Sequence, residues 1–572
     1  MSPERDLEVE RVPVVVAGGG PVGLVTGLEL ARHGVASLVL ERSASTTWHP
    51  KARNLNTRTL EIARGWGERV HRELVAVNLP PSWTDRVIYT RTLAGEELGR
   101  MRTEGFSGPG QQVSPEVPLL SSQDVVEPIL LRGLQATGLS EVRFGHEVGT
   151  LVEGAGEGDG CVTVPVTDLA TGRSYLVEAE YLVAADGPGS TVRSQLGIAS
   201  EGRRRIGHYV NVYFRADLSP WTRGREAMLY WVSLTGSRGV FQPLDAIDRW
   251  LCQISYDGTT ESYAGYTADR CAEWIRAGVG DPSVEPEILS VGTWTMNATV
   301  AASLVAGRVL LAGDAAHQLP PTGGFGVNSG IQGAHNLAWK LALVRSGRAG
   351  RGLLATYDVE RRAVGRTNAD RSLENSGAVD RINRAARDGG SRKAVAEAVA
   401  ASRRYGNFLG MELGFAYDSD AVVPDGTSAP TVDDEVIDYA PSARPGHRAP
   451  HVWLDRDGER ISTLDLFGPG FVILACADGG RPWARAARQA SSETGVPVRC
   501  HLVGRGGDLS DDSGSWATTY GLGAGGAVLV RPDGHVAHRV VSQSHDVEAV
   551  SLLFALRQVL DLPASVPAGA AA

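Results

Sequence analysis

The 572-residue sequence predicts an α/β fold in three parts: a parallel-sheet domain, an antiparallel sheet inserted into it, and a separate C-terminal α/β unit. Three observations predict it. Residues 12–41 read as strand, glycine turn, helix and second strand, the opening of a βαβ unit. Residues 208–256 hold successive alternating segments without helices between them, which breaks that rhythm and marks an antiparallel sheet. Beyond a Pro/Asp/Ser-rich stretch, buried-strand patterns return at 471–475 and 527–531, and a helical pattern at 547–560 closes the chain.

The first part is organised by its glycines. Gly18, Gly20 and Gly23 have G-x-G-x-x-G spacing after the strand 13–17, and Glu41 follows Gly18 by 23 positions, at the end of the second strand. The first glycine permits a tight turn, the second lets backbone approach a pyrophosphate, and the third lets helix and strand pack closely. Pro21, followed by Val22, suits a first helical turn, where a missing N–H costs nothing. The free amides and dipole of that helix start favour a diphosphate. Glu41 can accept hydrogen bonds from a ribose with a free 2′-hydroxyl. The arrangement predicts a Rossmann-like dinucleotide-binding domain, and by itself leaves FAD and NAD equally open.

The chain then follows in order. Asn56 or Thr57 caps a helix whose apolar face includes Leu60, Ile62 and Trp66. Residues 85–102 alternate around Ala94-Gly95, a hairpin pattern. Ser121-Ser122-Gln123-Asp124 precedes an amphipathic helix carrying Val125, Ile129, Leu130 and Leu134. Strand patterns at 141–153, 161–167 and 174–184 lead into Asp186-Gly187. The antiparallel segments are 208–216, 228–234, 239–243 and 250–256. A helix is expected from about Ser329 to Val344, and helical patterning continues from Tyr357 to about Met411. Pro532-Asp533-Gly534 predicts a hairpin turn.

Composition excludes several classes. Hydrophobic content of 42% and charged content of 21% suit a soluble globular protein, and no apolar run approaches a membrane span. The charged N-terminus lacks a leader's apolar stretch. A net charge of −10 argues against nucleic acid as a partner. The only lysines are Lys51, Lys340 and Lys393. Five scattered cysteines, none in C-x-x-C, read as reduced thiols of a cytoplasmic protein, with no metal site expected.

Three separated motifs carry a resemblance. They are the glycine fingerprint; Asp186-Gly187-Pro188-Gly189-Ser190-x-x-Arg193; and Gly313-Asp314-Ala-Ala-His317 with the Pro320–Gln332 segment after it. In this order they resemble the class A flavoprotein monooxygenases, with the p-hydroxybenzoate hydroxylase-like fold, over about residues 10–415. The remainder, with Arg444–Pro450, Asp465-Leu466 and Leu529–Gly534, resembles the thioredoxin-like appendage of the phenol hydroxylase branch. Within that branch the chain is similar to aromatic polyketide hydroxylases of the tetracenomycin type. The resemblance implies an FAD-binding domain over 1–75, 105–205 and 295–415, and a substrate-binding domain over 76–104 and 206–294. A linker over 416–449 and a thioredoxin-like domain over 450–572 complete the expected division.

The resemblance also implies roles. FAD is the resident cofactor, NAD(P)H a visiting co-substrate with NADPH ahead of NADH, and O2 the oxidant. The implied reaction is hydroxylation of a polycyclic aromatic substrate, a phenol or quinone of antibiotic biosynthesis, through a C4a-hydroperoxyflavin. Glu41 would bind the adenosine ribose, Arg42 would lie near the adenine end, and Gln123 would touch the flavin side. Asp186 lies in a motif linked to both FAD and NAD(P)H, and Asp314 would hold the ribityl–phosphate region. Backbone at Gly326, Val327 and Asn328 would cradle the isoalloxazine, with glycines letting main-chain amides reach the flat ring. Two departures stand out: Lys51 where relatives often have Arg, with Arg53 two residues on, and Gly333 where Asp is frequent. The first bears on the nicotinamide-facing contact, the second on a helix start. No catalytic acid or base is assigned. A homodimer stays open.

Other features read as structural. A second G-x-G-x-x-G at Gly521, Gly523 and Gly526 precedes a strand and reads as a flexible turn. His317 reads as a packing residue, His49 as a loop residue and His335 as structural. Tyr213, Phe214, Tyr230, Trp231 and Phe241 divide by alternation between core and cavity, with parity undetermined. Two alternatives remain: Baeyer–Villiger insertion or dearomatising epoxidation by the same flavin chemistry, and a non-catalytic flavin-binding partner.

Overall fold

A computed structural model of the protein describes residues 8–103, 110–151, 160–234, 237–387, 391–542 and 548–563. The sequence expectations for residues 1–7, for 152–153 of the strand pattern 141–153, and for Val547 lie outside them.

The strand Val9–Ala17 sits at the centre of an eight-stranded sheet, where its consecutive Val14, Val15 and Val16 are buried on both faces. It pairs in parallel with Ser174–Ala184 on one side and Ser37–Glu41 on the other. Val309–Leu311 and Ser140–Phe144 extend the parallel set outward, and Val162–Asp168 joins antiparallel. The helix Pro21–Arg32 covers one face with the helices Gln123–Ala136 and Phe325–Arg345 packed against it. Phe325–Arg345 is buried nearly all round, its Asn328, Gln332, Asn336 and Lys340 included, since the 36-residue helix Gly352–Arg387 packs on its other side. It starts one turn earlier than its pattern suggests, so Gly333 lies mid-helix near Tyr357 and Arg361 and does not shape a helix start. Asn56 is the cap of Thr57–Arg64, its Oδ1 accepting from Thr59 N at 3.0 Å. In Gln123–Ala136 it is Val126, not Val125, that is buried.

A second eight-stranded sheet runs His317–Gln318, Glu287–Ala301, Ser200–Arg215, Arg249–Tyr256, Ser237–Pro243, Leu229–Leu234, Arg86–Thr90 and Glu97–Arg102. Every pairing is antiparallel except that of Leu229–Leu234 with Arg86–Thr90. The early hairpin therefore closes one edge of a sheet built mostly from residues more than a hundred positions later. The helix Ala268–Val279 covers one face through Cys271, Ile275 and Val279.

The C-terminal sheet has the order Val498–Val503, Phe471–Cys476, Ala527–Val530, Val536–Val540, the first pair parallel and the others antiparallel. With Arg481–Thr494 after its first strand and Glu548–Val559 after its last, this is a thioredoxin-like arrangement. Its hairpin turn plugs into the helices of the first part. Arg531 donates to Glu360 through both terminal nitrogens (2.6 and 2.9 Å) and to Asp533 (2.5 Å), and Lys340 donates to Glu360 at 2.7 Å. All four side chains are buried, two cations against two anions. The segment 416–449 contains no helix or strand, yet Tyr417, Ala421, Ala443 and Arg448 are buried. Arg448 forms a two-point ion pair with buried Glu61, which also accepts from Arg58 at 3.0 Å. Among the described residues no helix is long and apolar enough to cross a membrane.

Candidate functional site

The first sheet ends in a crevice at the carboxyl ends of its central strands, where open α/β sheets place ligands. Gly18 leaves the first strand at φ +102°, and its N–H donates to Leu40 O at 2.8 Å. A Cβ there would lie 2.3 Å from Ala185 O, and one on Gly23 would lie 1.8 Å from Gly18 O. A Cβ on Gly20 would meet nothing within 4 Å. Two glycines are thus required by packing, and the middle one holds space open beside the first helical turn. Gly19, which the spacing motif passes over, would place a Cβ 2.7 Å from the Glu41 Cβ. Its N–H donates to Glu41 Oε2 at 2.7 Å, and Ser43 N donates to Oε1 at 2.8 Å, so the carboxylate is fixed at the turn with lone pairs to spare.

The second and third motifs close the crevice from the neighbouring strands. Asp186 follows Ser174–Ala184, accepts from Val192 N at 3.2 Å through Oδ2, and leaves Oδ1 buried without a partner. Ser190 caps the next helical turn through Arg193 N, and Arg193 Nη1 donates to Ala315 O at 2.9 Å, tying the second motif to the third. Asp314 follows Val309–Leu311, is exposed, and lines the cavity. The protein around it pushes its pKa up to about 6, against the opposing effect of Lys51. Gly324 adopts the left-handed conformation (φ +68°) that launches the helix at Phe325, which sets Gly326 and Val327 in the cavity wall.

The loop 51–54 forms the third wall. Gln123 braces it, its Oε1 accepting from Ala52 N at 3.1 Å and its own N–H donating to Ala52 O at 2.8 Å. Gln123 Nε2 is turned to Glu127 at 2.6 Å, so its polar atoms serve the loop. Arg53 is buried; it donates to Pro243 O and Met228 O, both at 2.7 Å, and joins the loop to one end of the strand pair Leu229–Leu234 and Ser237–Pro243, where these two carbonyls come together. It has no carboxylate partner among the described residues, and burial lowers its pKa to about 9. Lys51 and Arg42 are exposed at the rim.

These walls enclose one cavity of about 810 Å³. Of the fourteen expected site residues, Gly18, Gly20, Pro21, Val22, Glu41, Arg42, Arg53, Gln123, Asp186, Asp314, Gly326 and Val327 line it. Gly23 and Asn328 do not. Asn328 turns inward, accepting from Asn56 N and Thr59 Oγ1 and donating to Asn54 O and Gly324 O, which locks the helix start to the loop.

The cavity continues onto the second sheet, where strand register resolves the parity. Trp231 pairs with Val240, and Val240 with Gln253; all three line the cavity, as do Leu229 and Gln242. The alternate row, Tyr230, Phe241 and Cys252, points to the other face and is fully buried beneath the covering helix. Of the five aromatics singled out in the sequence, Trp231 alone lines the cavity. Tyr213 is buried instead beside Arg249, which donates to its hydroxyl at 2.9 Å and pairs with Asp124. Tyr405 and Phe408, from the irregular segment after the long helices, complete this chamber. The sequence pattern runs a helix through both to about Met411, whereas the helix Arg392–Ala400 ends before them and a single turn at Arg403–Tyr405 and the link to Leu409 turn them toward the chamber. Trp231 Nε1 donates to Tyr405 OH at 3.3 Å, and burial raises the Tyr405 pKa to about 12.

The three histidines singled out in the sequence do not line the cavity. His317 is buried off the cavity, its pKa lowered to about 4 by burial and Arg361. His335 Nδ1 lies 3.1 Å from Glu29. His49 packs edge-on against Tyr213, and burial and Lys51 lower its pKa. Gly521 ends a short helix at φ +64° and the segment runs on to a strand, so the second glycine motif has no helix start to offer a phosphate.

Comparisons with known proteins agree with this geometry. A family model described as an FAD binding domain matches residues 11–372, and one described as the C-terminal part of aromatic-ring hydroxylases matches 442–563. Tetracenomycin A2 monooxygenase-dioxygenase of Streptomyces glaucescens is 37% identical over 99% of this chain and 100% of its own. The crystal structure of the flavin-dependent monooxygenase PieE with FAD and substrate is 37% identical, with a TM-score of 0.91 over 97% of this chain and 99% of that one. Aklavinone-11 hydroxylase with FAD and aklavinone is 35% identical, with a TM-score of 0.84 over 96% of this chain and 99% of that one.

Proposed function

The chain belongs to the FAD-binding aromatic-ring hydroxylases, and on that premise we propose that it hydroxylates a polycyclic aromatic polyketide in antibiotic biosynthesis, using NADPH and O2. The observation that carries this reading is the continuity of the cavity. One space runs from the dinucleotide crevice at Gly20 to a chamber walled by Trp231, Val240, Met228 and Phe408, with no barrier between cofactor end and aromatic end.

The residues fit FAD. Cβ positions at Gly20, Gly187, Gly189 and Gly326 meet nothing within 4 Å, Asp186 carries an unpartnered carboxylate oxygen, and Asp314 faces the cavity. In this reading Glu41 takes the adenosine ribose, the helix start at Pro21 and Val22 takes the diphosphate, and Asp314 takes the ribityl hydroxyls. Gly326 and Val327 back the flavin ring. FAD, when bound, supplies hydride acceptance and oxygen activation, so the protein's task is to bind, orient and exclude water.

The chamber offers the substrate apolar walls and a few neutral polar groups: Gln242, Gln253 and the Tyr405 hydroxyl. Tyr405, like any phenol, holds its proton near neutral pH, and burial raises its pKa further; its hydroxyl serves as a hydrogen-bond donor to a substrate oxygen. Arg53 places an unneutralised charge beside the same space. A phenol bound against it ionises more readily, and a phenolate is the more electron-rich ring.

The test is a panel of polycyclic phenols added to the FAD-loaded protein, following NADPH oxidation and identifying products by NMR. Substrate-stimulated oxidation with a ring-hydroxylated product is expected. A ring-expanded lactone, or consumption that no phenol stimulates, contradicts the reading.

A further inference from the structure

The reading above requires an anionic nicotinamide nucleotide to approach a protein of net charge −10, so capture depends on a local field. The resident crevice does not provide it for NADPH, because Glu41 occupies the position where a 2′-phosphate would be repelled. A separate phosphate site is needed.

A candidate lies outside the cavity lining, on the strand Ser200–Arg215. In the strand Ser200–Arg215, Arg203 pairs with Ala298 but Gly207 pairs with Met296, so this strand holds two more residues than its partner across the same step. The result is a bulge. Gly202 enters it at φ +124°, where a Cβ would lie 2.2 Å from Ala298 O, and Arg205 adopts φ +54°, a conformation costly for a residue with a side chain. Arg203, Arg204 and Arg205 are all exposed, whereas an unbroken strand would send neighbours to opposite faces. None of the three has a carboxylate partner among the described residues; Arg204 donates only to Ser200 O at 3.3 Å.

The bulge is tied to the cavity by a chain of hydrogen bonds. Arg205 N donates to Asn297 Oδ1 (2.9 Å), Asn297 Nδ2 to Gln318 Oε1 (2.8 Å), and Gln318 Nε2 to Pro188 O (2.8 Å), and Pro188 lines the cavity. Arg204 is also close enough to Arg193 to act on it electrostatically, alongside Asp186. A strained backbone thus presents three uncompensated guanidinium groups beside the second motif, away from the Glu41 end.

We infer that Arg203, Arg204 and Arg205 form the docking patch for the phosphates of the nicotinamide co-substrate, with the 2′-phosphate distinguishing NADPH from NADH. Guanidinium forks match phosphate oxygens in pairs, and a phosphomonoester near neutral pH brings about −1.5 to −2 charges to meet them. The inference rests on the nicotinamide-dependent reading.

The test uses the full-length, FAD-loaded protein and its R203A/R204A and R203K/R204K variants, leaving Arg205 untouched because of its backbone. Calorimetry measures Kd for 2′,5′-ADP and 5′-ADP at two salt concentrations, and steady-state kinetics gives KM and kcat for NADPH and NADH. In R203A/R204A, the 2′,5′-ADP Kd and the NADPH KM should rise about tenfold, with a smaller effect on 5′-ADP and NADH. Salt dependence should weaken, kcat and FAD retention should hold, and R203K/R204K should recover the salt dependence but only part of the affinity, because lysine returns the charge without the paired donors. Unchanged 2′,5′-ADP affinity in R203A/R204A with normal NADPH oxidation overturns the patch and leaves the hydroxylase reading standing. A wild-type flavin reduced by dithionite but by neither nicotinamide overturns both.

Discussion

Replacing Gly20 and Gly23 separately by alanine separates ligand space from packing space within one turn. At Gly23 the new Cβ would sit 1.8 Å from Gly18 O, so the helix Pro21–Arg32 must retreat by roughly 1 Å from the central strand, an overpacking cost of about 1–3 kcal/mol or more. At Gly20 the Cβ meets nothing, and the backbone (φ −71°, ψ −175°) is open to any residue. The loss from placing alanine at a helix cap, about 0.5–1 kcal/mol, is offset by a similar gain from restricting the unfolded chain. The same methyl group projects into the space assigned to the diphosphate, and displacing that group should weaken FAD at least about tenfold, ~1.4 kcal/mol. Thermal unfolding of the flavin-free protein and FAD titration by fluorescence read the two effects separately. Gly23→Ala should lower Tm by several degrees without FAD present, and Gly20→Ala should hold Tm while losing FAD. A Gly20→Ala protein that binds FAD as tightly as wild type, or that melts as early as Gly23→Ala, would refute the assignment of that space.

Three further outcomes follow. Trp231→Ala removes one wall of the chamber without touching the crevice; KM for the aromatic substrate should rise about tenfold or more, with the FAD Kd unchanged by titration. Arg448→Ala removes the two-point partner of buried Glu61 and leaves it Arg58 alone as a cation, and should destabilise the protein by up to about 3–5 kcal/mol in denaturant unfolding. Glu412 is buried behind the Thr57 helix start, and burial raises its pKa to about 8. Because the folded pKa lies above the unfolded one, ionisation opposes folding as pH climbs from about 4.5 through 8, by at most about 1.4 kcal/mol per pH unit. Tm measured across pH 5–8.5 should fall more steeply in wild type than in Glu412→Gln, with the variant the more stable at the alkaline end.

The parts of this site that the sequence made readable are those where local chemistry forces the residue. Gly18 and Gly23 are required by contacts with neighbouring backbone, and Glu41 by its place at the end of a short apolar strand, so spacing reveals them. Gly19 obeys the same logic but lies outside the spacing rule, and its contact is with Glu41 itself. Alternation identified the antiparallel segments, yet which row faces the cavity depends on the helix Ala268–Val279 covering the other face, a tertiary fact. Trp231 was therefore indistinguishable from Tyr230. The helix start at Phe325 was missed because Gly324 and Gly326 resemble loop, although Gly324 is the left-handed residue that begins the helix. Arg53 lines the cavity, and the carbonyls that fix it there lie 175 and 190 residues away, where no local pattern announces them. The arginine bulge was hidden for a similar reason: only the partner strand, about ninety residues on, reveals the two additional residues.

The most direct test of the central claim, that one cavity joins FAD to an aromatic substrate, is mass spectrometry of the product formed under 18O2 by the FAD-loaded protein with NADPH and a polycyclic phenol. One labelled oxygen on the ring for each NADPH consumed is the predicted result. NADPH consumption that yields only hydrogen peroxide and leaves the phenol unlabelled would contradict it.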